Sequence, residues 1–205
     1  MPPAVEYRHV APNGRLRVER RADGKPVIVG YAACFHRQGD PGTEYNLYDD
    51  VVERILPGCF DRAIREKQDV RGCYNHDANA ILGRTRAGTM RLSVDSTGLR
   101  YEIDPPDTQT ARDLMESIKR GDVTGSSFAF QPAPGGVKTS RIGDVMVREL
   151  ADVDLFDVGP VVYPAYAATS AALRAAAQRA ALPRRVRAVL DQAEARARCV
   201  ALDLS

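Results

Sequence analysis

Apolar and polar residues alternate with the period of strands along most of the first 160 positions, and two stretches there carry helix signals instead. From Pro26, Val27-Ile28-Val29 runs into Gly30-Tyr31-Ala32-Ala33, a β-rich segment closed by a loop of Gly39 to Thr43. The stretch Tyr48 to Leu56 predicts a second strand, ended by Pro57-Gly58. Pro57 can open a helix through about Gln68, with Phe60, Ala63 and Ile64 on its buried face. Short strands are predicted over Val70 to Tyr74, Gly88 to Val94 and Leu99 to Ile103, the last two joined by the turn Asp95-Ser96-Thr97-Gly98, and Ile81 to Thr85 resumes the apolar pattern between them. Thr108 is placed to cap a helix through Arg120, with Ala111, Leu114, Met115 and Ile118 at helical spacing and Gly121 as its stop. Val123 to Gln131 and Val145 to Val162 read as strands separated by a Pro/Gly/Ser loop. This order predicts an α+β fold, a mainly antiparallel β-sheet or barrel with interspersed helices.

The two ends depart from that pattern. Residues 1–24 are polar and Arg-rich and predict a loosely ordered lead-in with one edge strand at most; residues 25–166 form the expected folded domain. Residues 167–205 hold 14 Ala and are divided by Pro183, which predicts a solvated, helical Ala/Arg-rich tail. Charge follows the same division. The formal net charge of +2 conceals a tail with seven Arg against three acidic residues and a body with 22 basic and 24 acidic ones. A nucleic-acid-binding domain would carry its basic stripe within the fold, so specific nucleic-acid binding is not expected. With 25 Arg against 4 Lys in the whole chain, the Arg count by itself says little about phosphate.

No run of 18 apolar residues and no basic-then-apolar leader is present, so neither a membrane span nor ordinary secretion is expected. Cys34, Cys59, Cys73 and Cys199 show no C-x-x-C spacing and are read as free thiols or small buried hydrophobes, with no metal site and no cofactor.

Candidate chemistry is confined to a few residues. Of the three histidines, His9 lies in the polar lead-in and His36 at a strand end, whereas His76 stands where Gly72-Cys73-Tyr74-Asn75 passes from strand to loop, a place where a scaffold fixes the backbone and leaves the ring reachable. In Gly125-Ser126-Ser127-Phe128-Ala129-Phe130, strand alternation puts Ser126 with the two phenylalanines and Ser127 on the opposite face beside Ala129. A serine hydroxyl needs a base to become a nucleophile, and His76 is the best-placed base in the chain. Glu149, Asp152, Asp154 and Asp157 supply carboxylates that can orient it.

Several segments then occur in an order that resembles one family. These are Glu53-Arg54-Ile55-Leu56-Pro57-Gly58-Cys59-Phe60; Tyr74-Asn75-His76-Asp77 with Leu82-Gly83-Arg84-Thr85; Gly88-Thr89-Met90-Arg91-Leu92 with Gly98-Leu99; Gly125 to Phe130; and Asp154-Leu155-Phe156-Asp157-Val158-Gly159-Pro160-Val161-Val162-Tyr163-Pro164-Ala165-Tyr166. They resemble the prohead maturation proteases of tailed bacteriophages, related in fold to the herpesvirus assembly proteases, over roughly Val27 to Ala171. The resemblance implies a serine endopeptidase with His76 as base, Ser127 as nucleophile in preference to Ser126, and Asp152 as third member, with Asp157 and Glu149 as alternatives. It implies as substrate the scaffolding segment of the major capsid protein, with self-cleavage, self-association and contact with the portal, inside the assembling procapsid in the bacterial host cytoplasm. One departure is Gly159-Pro160-Val161-Val162, which stands where the herpesvirus enzymes have an arginine-rich turn. It leaves backbone N–H groups, Arg84 or Arg86 as candidate oxyanion donors. It also keeps open a second reading, a non-enzymatic capsid-assembly scaffold or capsid-binding module on the same fold.

Overall fold

The structure, a computed structural model, describes residues 5–10, 16–48 and 50–163. In chain order its strands are β1 (Glu6–Val10), β2 (Arg17–Arg20), β3 (Pro26–Cys34), β4 (Glu44–Tyr48), β5 (Val51–Ile55), β6 (Arg71–Cys73) and β7 (Ile81–Arg84). They continue with β8 (Met90–Val94), β9 (Gly98–Ile103), β10 (Gly125–Pro132), β11 (Val137–Ile142), β12 (Val145–Leu150) and β13 (Val153–Val161). Two α-helices, α1 (Asp61–Arg65) and α2 (Gln109–Arg120), interrupt them, so the described part is mostly β. Three sheets result, with orders β1-β10-β13-β6-β7, β11-β12-β5-β4 and β2-β3-β9-β8. All pairs are antiparallel except β5 with β12 and β6 with β13.

Helix α2 forms where its signals placed it. The Thr108 side chain accepts from the Ala111 N–H, Gly121 closes the helix in the left-handed conformation, and Ala111, Leu114 and Ile118 are buried. The helix expected over 57–68 is reduced to Asp61–Arg65. Its start is lost because Gly58 takes a positive φ of 90° and Phe60 gives the first turn no side-chain cap. Its end is lost because Lys67 turns left-handed at φ 53° and the Gln68 amide leaves for β13, accepting from the Leu155 N–H at 2.8 Å and donating to Asp154 at 2.8 Å. The single strand expected over 48–56 belongs to a β4–β5 pair, and the Pro/Gly/Ser loop before Val145 contains β11, which pairs with β12.

The lead-in, expected to contribute one edge strand, contributes two: β1 on β10 and β2 on β3. The proposed tail, 167–205, lies outside the described residues.

The core is built around Phe35, Phe60, Phe128 and Phe130. Their rings lie 6.0, 5.6 and 4.8 Å apart in that order, spacings at which aromatic rings attract. Ile28, Leu99, Ile103, Leu150, Val153 and Val158 close around them without solvent exposure. Tight approach is required at Gly98, where a Cβ would fall 2.0 Å from the Ala33 carbonyl oxygen and φ is +155°. Only glycine lets β9 close on β3 there.

Candidate active site

The sheet β1-β10-β13-β6-β7 positions the candidate residues. After β6 the chain reverses through Tyr74–Asp77, with the Asp77 N–H donating to the Tyr74 carbonyl at 3.0 Å and both central residues left-handed, Asn75 at φ 54° and His76 at φ 57°. Two consecutive non-glycine residues in that region are sparsely populated and persist only where the surroundings hold them. Asn75 does the holding: its N–H donates to the Pro160 carbonyl at 3.0 Å and its Oδ1 accepts from the Val162 N–H at 2.9 Å. The turn that carries His76 is thereby bound to the end of β13.

Strands β10 and β13 pair with Ser127 opposite Gly159 and Ala129 opposite Asp157, and then with Phe130 opposite Leu155. Phe156 is thus an extra residue, a β-bulge on β13. Before it Val153 and Leu155 point into the core; after it Val158 does. The bulge moves Asp157 onto the face of Ser127, opposite the phenylalanines.

A continuous hydrogen-bonded chain follows. Asp157 Oδ1 holds His76 Nδ1 in a short contact, and His76 Nε2 lies 2.6 Å from Ser127 Oγ. An ionised carboxylate only accepts, so the Nδ1 proton faces Asp157 and the Nε2 lone pair faces the serine hydroxyl. That arrangement can take a proton from Ser127 and stabilise the imidazolium formed. The Tyr7 and His9 rings meet the His76 ring edge-on at 4.7 and 5.9 Å. Burial, with the charges of His76 and Arg8, lowers the His9 pKa to about 4, so that ring is neutral.

Ser126 faces the other way. Its Oγ lies 2.8 Å from the Tyr101 hydroxyl, a phenol that burial pushes up and keeps neutral. The alternation that separated the two serines is therefore what the structure has.

The acidic candidates separate as well. Asp152 is not brought to His76: its carboxylate accepts from Arg62 Nε at 2.8 and 3.1 Å, while Arg62 Nη2 donates to Asp154 at 2.7 Å. This corrects the expectation for Asp152, whose neighbour is the α1 arginine rather than the histidine. Glu149 lies on β12, in the second sheet, opposite Arg54 and Lys138. Arg84, a candidate oxyanion donor, gives its fork to Asp69 at 2.7 and 2.5 Å. His36 lies 3.9 Å from Glu44. Cys34, Cys59 and Cys73 are buried and outside any disulfide; burial and the Asp157 charge raise Cys73 to about 11. Among the described residues no three His, Cys, Asp or Glu side chains cluster as a metal site would require, and no helix is long and apolar enough to cross a membrane.

One constellation escaped the sequence reading. Arg8 donates to the fully buried Glu53 at 2.5 and 3.0 Å and to Glu6 at 2.5 Å; Arg148 donates to Glu6 at 2.7 Å through both nitrogens and also reaches Glu53. Two cations and two anions compensate each other, as a buried set must. Burial alone would raise the Glu6 carboxyl, but the Arg148 hydrogen bond and the charges of Arg8 and Arg148 outweigh it and hold it below the usual carboxylate range. No local spacing signals this set, because its members lie up to 142 residues apart.

The fold has a counterpart among solved structures. The capsid assembly protease of bacteriophage T4 superposes with a TM-score of 0.50 at 9% identity, covering 78% of this chain and 99% of that one. Identity that low makes this a likeness of fold alone. No curated protein matches the sequence significantly. Residues 15–182, most of the chain and all of β2 through β13, match the profile described as caudovirus prohead serine protease, and by that match the chain belongs to the caudovirus prohead serine protease family.

Proposed function

We propose that the chain is a serine endopeptidase that cleaves the scaffolding segment of the major capsid protein, and itself, within the assembling procapsid. The observation that carries this reading is the Asp157–His76–Ser127 hydrogen-bonded chain in a member of the prohead serine protease family. Ser127 Oγ attacks the scissile carbonyl carbon as its proton passes to His76 Nε2; the tetrahedral intermediate collapses and the imidazolium returns the proton to the leaving amine. Water, activated by the same histidine, then releases the acyl group. Asp157 holds the imidazole in the required tautomer and offsets its positive charge. Confinement with its substrate raises the effective substrate concentration, so a modest intrinsic rate suffices.

Co-expression with the cognate capsid protein tests the reading. The unaltered chain is expected to shorten the capsid protein and Ser127→Ala to leave it full length. Equal shortening by both removes Ser127 as nucleophile; shortening by neither favours the non-enzymatic scaffold.

A further inference from the structure

His76 and Ser127 meet although the strands that lead to them are not neighbours. In the first sheet β13 lies between β10, which carries Ser127, and β6, which leads to His76. The imidazole therefore reaches the serine only because the chain passes over β13. We infer that Gly159 and Asn75 are positioning residues for the reaction: Gly159 opens the place where the chain crosses, and Asn75 fixes how far it reaches. The inference deepens the proposed function and rests on the reading of Ser127 as nucleophile and His76 as base.

The crossing is visible in the register. β6 runs beside β13 for two residue pairs, Arg71 with Asp157 and Gly72 with Val158. The next pair would set Cys73 beside Gly159, but between Gly72 and Cys73 the register of β6 shifts. A Cβ at Gly159 would fall 2.0 Å from the Cys73 carbonyl oxygen, and 3.0 and 3.2 Å from the Cys73 carbonyl carbon and nitrogen. The backbone of Cys73 thus occupies the space that a side chain at 159 would need. Gly159 stands directly opposite Ser127 in the β10–β13 ladder, and opposed residues share a face. The crossing therefore lies on the face of the serine hydroxyl, three residues before His76.

The reach is set just beyond. Both bonds of Asn75 go to β13 and its continuation: its N–H donates to the Pro160 carbonyl at 3.0 Å and its Oδ1 accepts from the Val162 N–H at 2.9 Å. Pro160 has no N–H, so it meets the turn with an acceptor alone, and Val162 supplies the donor. Asparagine answers both from one residue and tolerates the left-handed backbone that it and His76 adopt. The segment Gly159-Pro160-Val161-Val162 is on this view the seat of the histidine turn: it lets the chain over and then holds it, with His76 Nε2 2.6 Å from Ser127 Oγ.

Kinetics of the full chain on capsid protein test this, with Tm measured for every variant and rates taken well below it. In Gly159→Ala the Cys73 backbone has to retreat by about 1 Å, a displacement that at reacting groups costs about 10²-fold. Its kcat is expected to fall by at least that factor with KM within about twofold, because no substrate contact is lost. Asn75 is exposed, and Asn75→Ala is expected to fold and to lose at least about tenfold in kcat, again with KM kept. Asn75→Asp retains the acceptor for the Val162 N–H and the tolerance of a left-handed backbone, and is expected to recover kcat to within about fivefold of the unaltered chain. A folded Gly159→Ala with kcat within about threefold of the unaltered chain overturns the inference; should that variant not fold, the Asn75 pair decides. An Asn75→Ala loss that only follows the folded fraction, or one that Asn75→Asp does not reduce, overturns it as well while leaving Ser127 as nucleophile. Failure of a serine-directed fluorophosphonate to label Ser127 in the unaltered chain, read by mass spectrometry, overturns the reading of the site itself.

Discussion

Under the proposed mechanism, replacing Asp157 by Asn keeps the shape of the side chain and removes the charge that offsets the His76 imidazolium. His76 and Asp157 side chains are only 14% and 17% exposed, so their interaction is not dispersed by water. Unit charges about 4 Å apart at an effective dielectric near 20 interact by about 4 kcal/mol, which is the support the imidazolium loses in the transition state. That corresponds to about a 10³-fold fall in kcat/KM. A carboxamide that turns its N–H toward Nδ1 adds to the loss by moving the ring proton to Nε2, where it can no longer accept from Ser127. KM should change little, because no substrate contact is removed. Asp152→Asn is the control: it weakens a partly exposed pair with Arg62 worth at most about 1 kcal/mol and should leave kcat/KM within about threefold. The assay is the rate at which purified chain releases the scaffolding fragment from capsid protein, read on gels and by mass spectrometry. A loss in Asp152→Asn equal to that in Asp157→Asn, or an Asp157→Asn variant within tenfold of the unaltered chain, refutes the assignment.

Two further outcomes concern stability. Glu53→Ala leaves Arg8 and Arg148 sharing Glu6 alone, an uncompensated buried cation that should cost about 3–5 kcal/mol and lower Tm by about 10 °C in thermal denaturation followed by circular dichroism; a Tm within about 2 °C of the unaltered chain refutes the compensation argument. His9, held near 4 against an ordinary value of 6.5, is neutral in the folded state where the unfolded chain binds a proton, so stability is undiminished above pH 6.5 and falls as pH drops from 6.5 to 4. The full shift would amount to roughly 3 kcal/mol, reduced to about 1–2 by the partial exposure of the ring; His9→Asn should lose that part of the pH slope, and an unchanged slope refutes it.

Much of the arrangement was legible because it depends on short-range rules. Thr108 and Gly121 bound α2 by capping and left-handed closure, and both act within a few residues. Ser127 separates from Ser126 by alternation alone, since two phenylalanines on one face assign the other. His76 stood out by its place at the end of a strand. Asp157 was harder for a definite reason. Strict alternation from Val153 puts it on the buried face with Leu155, and only the bulge at Phe156, a matter of which residues of β10 stand opposite, brings it round to Ser127.

The sequence by itself determined the alternation, the caps, the face on which Ser127 stands and the strand-end place of His76, because each follows from periods and turn chemistry that a residue shares with its near neighbours. The tertiary structure decided three things: which carboxylate meets His76, which arginines meet Glu53, and that a polar lead-in becomes a strand lying on Ser127. Those depend on partners 45 to 142 residues away and on a one-residue shift in register. No local pattern encodes such a pairing, since the free energy that selects it arises only when the whole sheet closes.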